Sequence, residues 1–246
     1  MTPKERLDVL VASRGLAESR EQAQRLIMAG DIRIGGQPAT KAGQRYPADV
    51  EIERVAPPRF VSRGGEKLEG AFEAFALDVA ELDCLDVGAS TGGFTDCMLQ
   101  HGAARVIALD VGHGQIHEKM RRDPRVTVIE GFNARFMTPS DLPFQPSFAT
   151  ADVSFISLRL ILPRIAGVLA PGGHAVTLIK PQFEAGRAQA PHGVVRDPEV
   201  RKAVCDGIRE FGTGELGLEW LGVATSPITG PQGNVEFLAW WRKPPA

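Results

Sequence analysis

The stretch Asp86-Val-Gly-Ala-Ser-Thr-Gly-Gly-Phe94 constrains this chain more than any other part of it. It joins an apolar run at residues 84–87 to a helical pattern at residues 94–101. Glycines at a strand-to-helix junction let the backbone pass close to a ligand, and the helix N-terminus adds polarity there. The spacing is not the GxGxxG of a dinucleotide site, so a pyrophosphate fits less well. Strand-like runs recur at residues 105–110, 126–130, 148–153 and 175–179, with helical patterns between them. That alternation predicts an α/β, Rossmann-like domain: a mostly parallel sheet with helices on both faces. Residues 218–225 and 235–241 are two further strands joined by a Pro/Gly-rich loop, expected as a terminal antiparallel hairpin.

The first residues have a different texture. Leu7, Leu10 and Val11 give a short amphipathic helix that Gly15 ends. Ser19 is placed to cap a second helix, with Gln22 as its box partner. Ala23, Leu26 and Ile27 form the apolar face of that helix, and Gly30 stops it. Ile32 and Ile34 flank Arg33 as in a half-buried strand, Gly35-Gly36 marks a tight turn, and a short strand at 50–55 closes the unit. Pro57-Pro58 breaks the pattern. Two domains are therefore expected, a small α+β domain at 1–58 and the larger one at 59–246.

Several classes are disfavoured. No stretch approaches the roughly 18–20 apolar residues of a membrane helix, and the N-terminus has no signal-peptide core. Cys84, Cys97 and Cys205 are odd in number and widely spaced, so a reducing cytoplasm is expected rather than a disulfide framework. The net charge of −2 requires any nucleic-acid affinity to come from a local patch. Of the five histidines, only His113 and His117 are four apart; Gly112 and Gly114 make a helix there doubtful, and no metal is expected. No GxSxG nucleophile context occurs. The pair Trp240-Trp241 is expected to be strand packing.

Asp110 ends the strand after the glycine-rich stretch, where a carboxylate can accept from a ribose diol; Val111 lies beside it. Asp86 is expected to face the amino-acid end of a cofactor, and Gly88, Ser90, Thr91, Gly92, Gly93 and Phe94 to form the cradle. Asn133 follows the third strand and is a candidate for an adenine edge, a solvent-exposed loop amide being the alternative. Together these features favour a nucleoside ligand without phosphates, which S-adenosylmethionine is; a tight turn without a ligand stays open. Four polar residues stand at strand ends or helix starts: Lys67, Asp152, Lys180 and Glu236. Ligands of a doubly wound sheet sit outside the carboxyl ends of its strands. A ribose hydroxyl needs a proton acceptor to attack a methyl sulfonium, and Lys180 is assigned that role. Asp152, Glu236 and Lys67 would orient it; Asp152 also counts among the cofactor contacts. Taken singly, each could be an ordinary solvated side chain.

The chain resembles the TlyA/haemolysin A family of rRNA 2′-O-methyltransferases, which carry an FtsJ-like catalytic domain. The resemblance rests on Val61-Ser-Arg-Gly-Gly-Glu-Lys-Leu68, Asp86 to Asp96, Asp110-Val-Gly112, Asp123-Pro-Arg-Val126, Asp152-Val-Ser-Phe-Ile-Ser157, Lys180-Pro-Gln-Phe-Glu184 and Gly233-Asn-Val-Glu-Phe237. It implies a Lys-Asp-Lys-Glu tetrad at Lys67, Asp152, Lys180 and Glu236. The first domain resembles the S4 RNA-binding domain through Arg6-Leu-Asp8, Gly15-Leu16, Ser19-Arg20, Ala23, Leu26-Ile27 and Gly30-Asp-Ile-Arg-Ile-Gly-Gly36. Arg6, Arg14, Arg20, Lys41, Arg45 and Arg63 are the candidate RNA contacts. The resemblance implies methylation of a cytidine ribose in ribosomal RNA, on naked RNA or a ribosomal subunit. The tail Arg242-Lys-Pro-Pro-Ala246 resembles the short form, associated with 23S rRNA; the long form also acts on 16S rRNA. Competing readings are an RNA-binding protein with a vestigial methyltransferase fold, a pore-forming haemolysin and a small-molecule methyltransferase. Oligomeric state is not readable from the sequence.

Overall fold

The computed structural model describes residues 3–55 and 58–246, and all side chains among them except that of Arg187. The chain forms two compact units, Met1–Pro58 and Arg59–Ala246. Of the expected boundary pair Pro57-Pro58, Pro57 lies outside the described residues.

In the first unit, β1 (Lys4–Arg6) leads into α1 (Leu7–Ser13), followed by α2 (Arg20–Ala29), β2 (Ile32–Ile34), β3 (Gln37–Pro38), β4 (Arg45–Pro47) and β5 (Glu53–Arg54). Ser19 caps α2 by accepting from the Gln22 amide at 3.2 Å. The Gln22 side chain in turn accepts from the Glu18 amide, one residue before the position a capping box uses. Gly30 ends α2 with φ of 81°, a left-handed conformation that favours glycine. Leu7, Val11, Ala23, Ile27 and Ile32 pack into one small core. β5 covers only two residues of the expected strand at 50–55, pairing with Ile32 and Arg33. No apolar alternation announces β1 or β4; they form by pairing with each other, Lys4 opposite Pro47 and Arg6 opposite Arg45.

The second unit runs α3 (Gly64–Phe75), β6 (Asp83–Val87), α4 (Gly93–Gln100), β7 (Arg105–Leu109), α5 (Glu118–Arg122), β8 (Val126–Ile129), β9 (Phe148–Ala151), α6 (Leu162–Val168), β10 (His174–Ile179), α7 (Pro181–Glu184), α8 (Pro198–Glu210), β11 (Glu219–Thr225) and β12 (Phe237–Arg242). Its seven strands lie in the order β11-β12-β10-β9-β6-β7-β8. β8, β7, β6, β9 and β10 are mutually parallel, and β12 pairs antiparallel with both β10 and β11. This is the expected α/β fold with its terminal antiparallel hairpin.

Alternation along the strands explains the layering. Cys84, Val106 and Ala108 face a core shared with Leu68, Phe72, Phe94 and Met98 of α3 and α4. Leu85, Val87, Ile107 and Leu109 face the opposite core, with Leu162 and Ile165 of α6 and Ile208 of α8. A parallel sheet covered on both faces needs such continuous apolar strands. Trp241 is fully buried and donates to Thr177 Oγ1 at 2.9 Å, while Trp240 stacks on Phe75 with ring centroids 5.4 Å apart. The tryptophan pair is therefore packing, as its strand position predicts.

The strand order reverses between β6 and β9. At such a switch point the flanking connections diverge to opposite faces, opening a crevice outside the carboxyl ends. Gly88 follows β6, Asp110 follows β7, Asp152 follows β9 and Lys180 follows β10.

Candidate active site

Lys67, Asp152, Lys180 and Glu236 come from four separate elements and meet in one cluster. Lys67 on α3 reaches Glu236 Oε2 at 2.7 Å and Asp152 Oδ2 at 3.2 Å. Lys180 Nζ lies 2.5 Å from Asp152 Oδ1 and donates to Ser154 Oγ at 2.9 Å. Asp152 thus bridges two lysines, one on each oxygen. Both lysines and Glu236 are buried. Burial pulls the Lys67 ammonium down, but the charges of Asp152 and Glu236 and their hydrogen bonds outweigh it and hold its pKa above the ordinary lysine value. Glu236 is pressed from the other side by the loop before β12. A Cβ on Gly230 would meet Glu236 Oε1 at 2.1 Å, so only glycine fits there. Among the described residues, Glu236 Oε1 has no hydrogen-bond partner.

Two cavities adjoin the cluster. One, of about 570 Å³, has apolar walls from Val87, Leu109, Phe132 and Val153, with Ser90, Asp110 and Asn133 as polar groups. The second, of about 660 Å³, is lined by Lys67, Lys180, Arg63, Thr91, Gly93 and Phe94, among others. Gly88, Ser90, Asp152 and Ser154 line both. Gly88 has φ of 81°, and a Cβ there would meet the Asp152 carbonyl oxygen at 2.7 Å. The cradle backbone therefore passes directly against the end of β9, as only glycine allows. Asp110 accepts from the Ser90 amide at 2.8 Å and the Gly112 amide at 2.7 Å, which fixes its carboxylate beside the cradle. Val111 stands exposed on the wall of the first cavity. Asn133 Oδ1 accepts from the Arg135 amide.

Two expected cofactor contacts lie elsewhere. Gly92 lines neither cavity; it caps α4 with φ of 92°, and a Cβ there would meet Met120 Cγ at 2.9 Å and Ile116 Cδ1 at 3.0 Å. Asp86 lines neither cavity and is fully buried, its oxygens accepting from Thr95 Oγ1 at 2.7 Å and Thr150 Oγ1 at 3.1 Å. It braces the cradle from below. Burial pushes its carboxyl up to about 7, the two threonines pulling partly back. A carboxyl whose pKa is raised by folding binds its proton more tightly in the native state than in the unfolded chain. Its stabilising contribution is complete below about pH 4 and is lost as pH rises through about 7. Asp86→Asn carries no such charge. Thermal unfolding should show the parent losing stability relative to D86N between about pH 4 and about pH 7, and no further change above that. A difference that does not change with pH would contradict this.

Several neighbours are invisible to sequence reasoning. Ser154 sits inside the quoted Asp152-Val-Ser motif, but its bond to Lys180 depends on two loops meeting. Phe155 is 92% exposed and has φ of 62°. Its ring lies 5.2 Å from that of Phe183. Nothing in sequence marks a phenylalanine for a left-handed backbone. Asn234 is buried; its side chain accepts from Val195 N and donates to Gly193 O and Pro231 O, tying two loops together. Glu69, Cys97 and His101 also converge, their donor atoms within 4.8 Å of one another. Glu69 already accepts from His101 and pairs with Arg59 at 2.8 Å. His117 caps α5 by accepting from the Lys119 amide.

In the first unit, Asp8 organises the arginines. Its fully buried carboxylate accepts from Arg6, Arg20 and Gln24 at 2.8–3.0 Å. The Arg6 guanidinium is the main reason its pKa is held well below the usual carboxylate range. Arg6 and Arg20 are thereby held next to each other, each still about half exposed. Arg14 donates to Ala48 O and Val50 O, and Arg45 donates to Lys4 O, so both also brace the backbone. Lys41 and Arg63 are exposed.

YqxC of Bacillus subtilis, which bears an rRNA methyltransferase name, is 49% identical over 238 residues, or 96% of this chain and 84% of its own. The 16S/23S rRNA (cytidine-2′-O)-methyltransferase TlyA of Mycobacterium tuberculosis is 46% identical over 245 residues, or 98% of this chain and 91% of its own. A solved structure from Streptococcus thermophilus, named as a hemolysin, superposes with a TM-score of 0.76 at 46% identity, covering 99% of this chain and 90% of that one. The S4 domain matches residues 5–52, and the FtsJ-like methyltransferase matches residues 60–243. The chain belongs to the FtsJ-like methyltransferase family, with an S4 domain preceding the catalytic one.

Proposed function

We propose that this protein methylates the 2′-oxygen of a cytidine ribose in ribosomal RNA, using S-adenosylmethionine, with 23S rRNA as the expected substrate. The observation that carries the reading is the cluster of Lys67, Asp152, Lys180 and Glu236 beside a nucleoside-sized cavity. The substrate class follows the names of relatives: the mycobacterial one names both 16S and 23S rRNA, and one from Campylobacter jejuni, 34% identical over 188 residues, names 23S rRNA, which both share.

The first cavity suits the cofactor. Its volume lies within the roughly 300–1,000 Å³ of small-molecule sites, and apolar walls with a few convergent polar groups are typical of them. Gly88 and Ser90 would receive the cofactor's chain, Asp110 its ribose and Asn133 its base, with Val111 against the ring. When bound, S-adenosylmethionine supplies an electrophilic methyl on a sulfonium. Lys180 would accept the proton of the 2′-hydroxyl as that oxygen takes the methyl, the sulfonium leaving as a neutral thioether. Asp152 orients Lys180, and Lys67, held by Glu236, keeps Asp152 in place. Thr91, Gly93, Phe94 and Arg63 face the second cavity, where the RNA would enter. The exposed Phe155 ring is the kind of surface on which an unstacked base lies.

Residues 1–58 would serve as the RNA-binding domain, with Arg6, Arg20 and Lys41 toward phosphates, and residues 59–246 as the catalytic domain. This reading places the protein in the cytoplasm, with ribosomal subunits or their RNA as partners. The test is methyl transfer from labelled S-adenosylmethionine to each ribosomal subunit from cells lacking the protein. Label on a cytidine ribose of 23S rRNA is the expected result. Label on 16S rRNA as well would widen the substrate range. No label on either, with cofactor binding intact, would favour a binding protein with an inactive methyltransferase fold.

A further inference from the structure

Lys180 differs from Lys67 in its partners. Lys67 directs its donors to two carboxylates, Asp152 and Glu236. Lys180 Nζ meets one carboxylate oxygen, Asp152 Oδ1 at 2.5 Å, and one hydroxyl, Ser154 Oγ at 2.9 Å. A neutral amine has two N–H bonds and one lone pair. Asp152 Oδ1 approaches as an ion pair and has no hydrogen-bond partner among the described residues, so the hydrogen bond to Ser154 Oγ is what fixes how the amine is turned, and with it where the lone pair points. Asp152 alone would leave the amine free to rotate about Cε–Nζ.

The location of Ser154 fits such a task. It lines both cavities, and Lys180 lines the second. The residue after it, Phe155, is held at φ of 62°, a left-handed conformation that a non-glycine residue keeps only where the surroundings impose it. The Phe155 ring contacts Phe183, three residues beyond Lys180. The segments after β9 and β10 are thus joined by Ser154 with Lys180, by Phe155 with Phe183, and by Glu184, which accepts from Ser157 Oγ and the Leu158 amide.

We propose that Ser154 is a positioning residue for methyl transfer, its hydroxyl fixing the direction in which the Lys180 lone pair meets the target ribose hydroxyl. The inference rests on the ribose-methylation reading. A misdirected acceptor slows the chemical step without weakening the binding of either substrate, because small displacements of a reacting group cost rate steeply.

The experiment uses the full chain, ribosomal subunits from cells lacking it, and S-adenosylmethionine. Ser154→Ala should lower kcat about 10–100-fold, with KM for the subunit and Kd for S-adenosylmethionine within about twofold of the parent. Ser154→Thr, which keeps the hydroxyl, should recover most of the rate. Three results would overturn the role of Ser154: S154A turning over like an active parent, a loss confined to KM or Kd, or S154T as slow as S154A. A parent that labels neither subunit overturns the ribose reading itself and this inference with it.

Discussion

Lys180→Ala is expected to lower turnover by about 10²–10⁴-fold, the usual contribution of a positioned general base, while the fold and S-adenosylmethionine affinity persist. The fold should persist because Asp152 keeps a partner: Lys67 still reaches its Oδ2 at 3.2 Å. Lys180→Arg sharpens the test. A guanidinium keeps the charge beside Asp152 but cannot accept a proton in the working pH range. Both variants should be slow if Lys180 takes the proton; only the alanine should be slow if its charge alone matters. Single-turnover rates on ribosomal subunits, with cofactor affinity measured in parallel, separate the cases. Near-parental rates in both variants would remove Lys180 from the chemistry.

Lys67→Met is expected to do something different, unfolding the protein more readily as well as inactivating it. Removing Lys67 leaves Glu236, whose side chain has no exposed surface, without its cation, and strips one of two from Asp152. Breaking a buried pair by deleting one partner costs about 3–5 kcal/mol, because the remaining charge stays desolvated. Denaturant unfolding measures this directly. The compensated variant Lys67→Met with Glu236→Leu should recover much of the stability, since apolar replacements of both partners are often neutral. It should stay inactive. A stability loss under about 1 kcal/mol in K67M would mean that the pair does not behave as buried.

The two variants therefore divide the cluster by role. On these expected outcomes Lys180 would be the member replaceable for folding and required for turnover. Lys67 and Glu236 couple the site to the fold, joining α3 to the start of β12.

Much of this was legible in the sequence, for local reasons. Apolar runs of strand length separated by helical patterns specify a parallel sheet, and right-handed crossovers leave few ways to order it. Glycine at 88 is forced by a positive φ and a close carbonyl, so the cradle is written in the chain itself. Asp152 and Lys180 follow apolar strands and so emerge at the carboxyl edge, where the crevice opens. What the sequence could not determine depends on segments far apart in the chain meeting. Asp86 looks from its motif like a ligand contact, yet Thr150, 64 residues away, turns its carboxylate into a buried brace. The strands β1 and β4 have no pattern of their own and exist because they pair. Glu236 finds Lys67 across 169 residues, and Ser154 finds Lys180 across 26, where the segments after β9 and β10 also meet through Glu184 and the Phe155–Phe183 pair. Periodicity and turn chemistry act over a few residues, so they fix elements and place their ends. The partner each charged side chain meets is decided by packing alone, and with it whether that side chain braces the fold or faces the substrate.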